Sequence, residues 1–235
     1  MAQSKIEWTE ETWNPITGCT KCSNGCIHCY AETFARRLQA MGNPRYRNGF
    51  QVTLHEDLFE KPFEWKKPKL VFVNSMSDLF HEDIPVDVIL KLFDVMNNSS
   101  KHTFQILTKR SKRLEELSPR IKWTKNIWMG VSVESQDVLF RSEDIKKTGA
   151  YIKFISAEPL LEPLSTINLS GIDWLIVGGE SGAGSRPMEK EWVFELQQLA
   201  SEAKTAFFFK QWGGFNKKKN GKLLNGKVVQ EYPHK

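Results

Sequence analysis

Four cysteines, Cys19, Cys22, Cys26 and Cys29, crowd into one short run, and the rest of the chain has none. Thiols that merely fill a core would be scattered, and disulfides do not persist in a reducing cytosol, so the run reads as a metal site. Spacing selects the metal. Structural zinc sites usually draw on two ligand pairs set roughly a dozen residues or more apart, whereas three residues separate Cys22 from Cys26 here. Zinc is therefore the lesser reading. The C-x3-C-x2-C arrangement of Cys22, Cys26 and Cys29 suits three irons of a cubane [4Fe-4S] cluster, with the fourth iron open to a small molecule. The bacterial ferredoxin run has a different order of gaps and ends in Cys-Pro, while Tyr30 follows Cys29. Cys19 is the alternative fourth ligand. Because the other three already satisfy the open spacing, Cys19 is expected outside the ligand set, as a free thiol or redox partner.

The segments that would position these thiols alternate in character. After the cysteines, Ala31 to Met41 is rich in helix formers and Gly42 stands where a helix should stop, so the loop is expected to feed a helix whose N-terminal dipole favours an anionic cluster. Short apolar runs follow at Leu70 to Asn74, Thr103 to Leu107, Ile127 to Val133, Tyr151 to Ile155, Trp174 to Val177 and Ala206 to Phe209. Helical patterns separate most of them, among them Val86 to Met96 behind Pro85 and Lys190 to Lys204. With a further strand near Trp8 to Trp13, the pattern predicts six to seven parallel strands covered by helices, a closed or partly open β/α barrel of the TIM type. A doubly wound sheet is the alternative.

Each apolar run ends in polar residues, which in such a barrel would ring the C-terminal mouth where sites are built. The candidate catalytic groups are Lys109, Glu134, Glu158 and Lys210. Ser75, Asp78, Ser132, Glu134, Gly178, Gly179 and Glu180 are the candidate cofactor-binding residues, the last three opening a glycine run whose backbone can approach a ligand closely, with Arg186 as an anion contact. Asn225-Gly226 between apolar pairs signals a hairpin.

Length and hydropathy predict one domain over residues 1–235, with 213–235 a basic hairpin that decorates it. No apolar stretch reaches the roughly 20 residues that span a bilayer, and the N-terminus lacks the order of a secretory signal, so no membrane partner and a cytoplasmic location are expected. A net charge of +5 in 235 residues neither requires nor excludes polyanion binding.

The C-x3-C-x2-C loop resembles that of the radical S-adenosylmethionine (SAM) superfamily. At full length the chain resembles a phage-associated family of uncharacterised proteins with this cysteine motif, itself distantly similar to radical SAM barrels such as spore photoproduct lyase, which repairs DNA. The similar elements are Trp13-Asn14-Pro15, Ser75 to Phe80, Leu107-Thr108-Lys109-Arg110, Gly130 to Glu134, Ala157 to Leu161, Gly178 to Gly182 and Phe209 to Gly213. The resemblance implies a [4Fe-4S] cluster on Cys22, Cys26 and Cys29, SAM on its open iron, an electron donor, reductive cleavage of SAM, and a ring at His28 beside the adenine. Radical SAM enzymes usually carry a Gly-Gly-Glu-like segment after the second strand to hold the SAM amino group. Here that strand ends in Asn74-Ser75-Met76-Ser77-Asp78, so either Ser75 and Asp78 take that contact or SAM binding is altered or lost. The substrate is unknown, with DNA or RNA among its candidates. A competing function is a nucleic-acid-binding protein with a structural or redox cluster, in which Lys109, Arg110 and Lys210 meet phosphates. A structural zinc protein is the third.

Overall fold

A computed structural model describes residues 6–233, apart from the side chains of Lys217 and Lys218. Parts of the N-terminal segment and of the lysine run thus lie outside the described residues. The strands are β1 (Glu11–Trp13), β2 (Ile16–Thr17), β3 (Thr53–Leu54), β4 (Leu70–Val73), β5 (Thr103–Thr108), β6 (Ile127–Ser132), β7 (Ile152–Ala157), β8 (Trp174–Gly178), β9 (Ala206–Gln211), β10 (Leu223–Leu224) and β11 (Lys227–Val228). The longer helices are α1 (Tyr30–Ala40), α2 (Val86–Asn98), α3 (Ser111–Leu117), α4 (Phe140–Lys146) and α5 (Lys190–Ala203).

Seven strands form one parallel sheet in the order β1-β4-β5-β6-β7-β8-β9. Among the described residues β1 and β9 do not pair, so the curved sheet is an open half-barrel and not a closed one. The order is sequential because each strand returns to the neighbouring position by a crossover, usually helical, as parallel pairing demands.

Period-two alternation sorts the strand residues between two cores. One alternate set, with Val71, Ile106, Met129, Ile155, Leu175 and Phe207, packs outward in one large cluster with Ile89, Phe93, Leu114, Ile145 and Leu196 of the helices. On α2, Ile89, Leu92, Phe93 and Met96 recur at helical spacing and are all buried. The other alternate set points into the half-barrel, where Phe72, Trp128, Phe154, Trp174 and Phe208 join Trp8 in a second, aromatic cluster. Gly130 makes room for it, since a Cβ there would lie 2.3 Å from the Phe154 ring.

Two features of the connections were not read from the sequence. Between β7 and β8 the chain runs without a helix, from a cis Glu158-Pro159 bond to Asp173. An arm that periodicity does not reveal, β2 paired antiparallel with β3, flanks the cysteine loop. The expected hairpin is present: β10 pairs antiparallel with β11 through Asn225 (φ +47°) and Gly226 (φ +77°), the double positive φ of a type I′ turn. Of its lysines, Lys222 pairs with Glu7 at 2.9 Å. No helix among the described residues is long and apolar enough to cross a membrane.

Candidate active site

The strand ends converge at one mouth, around a cavity of about 430 Å³ that reaches from the cysteine loop into the half-barrel. The loop enters it in a fixed path. Gly18 N donates to Met76 O and Cys19 N to Phe50 O, each at 3.0 Å. Gly18 has φ +89°, and a Cβ there would lie 2.1 Å from Gln51 O, so only glycine fits. A short 3-10 turn, Asn24–Cys26, follows, and Cys29 occupies the N-cap position of α1.

Three side chains from distant strands grip this loop. Glu134, fully buried at the end of β6, accepts from Ser23 Oγ and from Gly25 N (3.3 Å), and is itself held by Arg141 at 3.0 Å. Any side chain at residue 25 would collide with the Glu134 carboxylate. Glu180, after β8, contacts His28 Nδ1 at 3.0 Å and receives the Arg186 backbone N and guanidinium, while Arg186 Nη1 reaches Asn24 O at 3.1 Å. Burial opposes ionisation of Glu180, yet these Arg186 and His28 contacts hold it at about 2. On the other side, Arg110 Nη1 lies 3.5 Å from Cys19 Sγ and 3.9 Å from Cys22 Sγ, with Asp78 at 3.1 Å and Glu82 at 2.8 Å as its counter-charges.

The thiols are not equivalent. The contact between Cys22 and Cys26 raises Cys22 and lowers Cys26. Burial, reinforced by Asp78, pushes Cys19 up to about 11, which suits a neutral thiol. No group of three or more Cys, His, Asp or Glu side chains among the described residues is drawn around a single point. The chemistry of the donor set nonetheless fits a thiolate-bound cluster: three thiols at the required spacing on a loop whose backbone is pinned from three sides, with Cys22 beside the Arg110 guanidinium.

Of the other expected residues, Lys109, Ser75, Asp78, Ser132, Glu158, Gly179, Glu180 and Lys210 line the cavity, as do Cys26 and Cys29. Lys210 Nζ and Glu158 Oε1 form an ion pair at 2.6 Å. Gly178 stands just behind Glu158, 3.4 Å from its carboxyl carbon by the position a Cβ would take. Two candidates are already engaged. Glu134 holds the loop rather than facing the cavity, and Asp78 spends its oxygens on Phe80 N, Thr108 Oγ1, Lys109 N and Arg110. Ser75 Oγ donates to Asn14 at 3.1 Å, and Ser75 O accepts from Tyr30 OH. Arg110 and Arg186 as grips on the loop were not legible in advance; basic residues adjoining strand ends were the only signal.

Several solved structures of spore photoproduct lyase share this fold. The complex with dinucleoside spore photoproduct aligns at a TM-score of 0.51 and 15% identity, covering 86% of this chain and 63% of that one. A double mutant with bound AdoMet and dinucleoside spore photoproduct aligns at 0.52 and 14% identity with the same coverage, and a single mutant at 0.53 and 15% identity. At such identity the likeness is one of fold, and this chain spans about 63% of the length of the lyase. No curated protein matches the sequence. The half-barrel and its cysteine loop lie within residues 3–233, which match the family described as protein of unknown function (DUF5131), and the chain belongs to that family.

Proposed function

We propose that this protein is a radical SAM-like enzyme that holds a [4Fe-4S] cluster on Cys22, Cys26 and Cys29 and acts on a substrate of the nucleic-acid class. The observation that carries the reading is the pinned cysteine loop at the rim of a cavity in the mouth of a half-barrel, where Cys26 and Cys29 line the cavity together with Cys19 while Cys22 is exposed beside it. AdoMet and a dinucleoside bound to proteins of the same fold support it. When bound, the cluster would supply one electron for reductive cleavage of SAM.

The chain's own residues take distinct parts. Arg110 sets a positive charge beside Cys22 and Cys19, which opposes without cancelling the upward push on both thiols. Glu134, Glu180 and Arg186 fix the loop and act as positioning residues. Ser132 and Ser156, side by side in register, offer hydroxyls to the cavity. Lys210 and Glu158, ion-paired at 2.6 Å on the cavity wall, are the donor and acceptor placed to meet the polar groups of a ligand.

Anaerobic reconstitution tests the reading. A brown protein with a cluster spectrum that shifts on adding SAM, and that releases 5′-deoxyadenosine on reduction, is expected. An intact cluster that neither binds nor cleaves SAM overturns it. Lys109, which lines the cavity and carries no salt bridge among the described residues, favours a second reading, a nucleic-acid-binding protein with no SAM chemistry. Binding to DNA or RNA that weakens steeply with salt, without deoxyadenosine release, would select it.

A further inference from the structure

One wall of the mouth carries polar atoms that the protein leaves unmet. Asn74 is 3% exposed, yet neither its Oδ1 nor its Nδ2 has a hydrogen-bond partner among the described residues. Trp8, 2% exposed, buries its indole Nε1–H in the same condition. Both residues line the cavity. An unpaired buried polar group is costly, and folded proteins keep few of them.

Backbone geometry does not account for the Asn74 side chain. Its φ is +58°, a conformation that glycine adopts without strain, and asparagine there ordinarily bonds locally through its carboxamide. Here the main chain is satisfied without it, with Asn74 N donating to Trp13 O at 2.8 Å and Asn74 O accepting from Ser77 N at 3.2 Å. The carboxamide therefore answers to something outside the chain.

Its chemistry describes that partner. A carboxamide presents an acceptor and a donor in one plane, so its complement offers a donor and an acceptor side by side. A lone ammonium would satisfy only Oδ1, and a lone carboxylate only Nδ2. The surroundings select against a zwitterion and for a flat apolar face. Phe72, two residues earlier on the same inward side of β4, packs against Trp8 with ring centroids 4.6 Å apart, Gln105 Nε2 holds the Trp8 carbonyl at 3.2 Å, and Leu107 adjoins them in the cavity. Ring stacking on such side chains is favourable for any base, and asparagine is a known bidentate reader of a base edge.

We infer that Asn74, with Trp8 and Phe72 beside it, binds the amide-type donor-acceptor edge of a planar ring, of which a nucleobase is the leading source and a simple carboxamide the other. The inference rests on the mouth being the binding site, as proposed above, but not on iron or on SAM cleavage.

The full-length chain, anaerobically purified with and without reconstituted iron, is titrated by calorimetry and ligand-observed NMR with uridine, thymidine, adenosine, N3-methyluridine, benzamide and SAM. At least one ring with a free edge should bind, N3-methylation should abolish uridine binding, and Asn74→Gly should weaken binding about tenfold or more, near the loss expected for a bidentate contact. Asn74→Gly keeps the positive φ, so its thermal midpoint should match or exceed that of wild type. Asn74→Asp, which keeps the shape and removes the donor, should weaken binding likewise. Benzamide binding as tightly as the nucleosides supports the edge chemistry and identifies a carboxamide as its source. No binding by any probe, or equal binding in Asn74→Gly, overturns the inference. So does a fall in SAM affinity matching that for nucleosides, which would place Asn74 in the cofactor site. Edge-dependent binding without SAM cleavage sinks only the proposed function, and SAM cleavage together with nucleoside binding indifferent to Asn74 sinks only this inference.

Discussion

The lower and upper halves of the half-barrel interior are built from the same inward-facing positions of the same strands, and they are opposites. Below, Phe72, Trp128, Phe154, Trp174 and Phe208 close on one another with ring centroids mostly 5–6 Å apart. Two to four residues further along each strand the inward positions become Asn74, Ser132, Ser156, Gly178 and Lys210, which border open space or adjoin the groups that do. Apolar burial in the lower half stabilises the sheet, and the upper half holds charges and unmet polar atoms at some cost in stability. The boundary lies between adjacent inward positions, so a strand can be rigid at one level and chemically adaptable a few ångströms higher.

The largest way to break this contrast is from below. Trp174→Ala removes the hub of the aromatic layer, a fully buried ring in contact with Trp8, Trp128, Phe154 and Phe208, and should cost about 3–5 kcal/mol in urea unfolding. Gly130→Ala drives a methyl into the Phe154 ring and should cost about 1–3 kcal/mol by overpacking. A loss as small as that of a surface substitution in either variant would show that the lower half is not the stabilising one.

Lys210→Met sharpens the contrast from above. It cuts the partly exposed pair with Glu158, so the stability change should stay within about 1 kcal/mol, while deoxyadenosine release by the reconstituted protein should fall sharply. Stability loss comparable to that of Trp174→Ala would place Lys210 among structural residues.

Acid provides the subtlest probe. The folded Glu180 sits at about 2 against an ordinary 4.5. A depressed carboxyl contributes stability that is present above 4.5 and disappears as pH falls toward 2. The urea midpoint of wild type should therefore drop more steeply across that window than the midpoint of Glu180→Gln. Parallel profiles would show that the Arg186 and His28 contacts do not stabilise the folded state.

Much of the frame was legible because its signals are local. The continuous apolar runs around Val71, Ile106, Met129, Ile155 and Leu175 read as buried parallel strands, and each is one. Asn225-Gly226 read as a hairpin because its turn demands two positive φ angles. The arm formed by β2 and β3 escaped, since two-residue strands leave no period. The missing helix between β7 and β8 escaped because nothing local forces a crossover to be helical.

At the mouth, residue types were readable and their partners were not. Polar endings after six strands marked where side chains would gather, and the spacing of Cys22, Cys26 and Cys29 marked a metal-binding loop. Whether Glu134 would face a ligand or clamp Ser23 and Gly25, and whether Arg110 would meet a phosphate or the sulfurs of Cys19 and Cys22, depended on segments about a hundred residues apart being brought together. Chain order alone thus settled the alternation of strands and helices, because neighbouring residues create it. Sheet closure, the grip on the cysteine loop and the unmet carboxamide of Asn74 came only with the tertiary fold, because each is a relation between groups that sequence separates and packing joins.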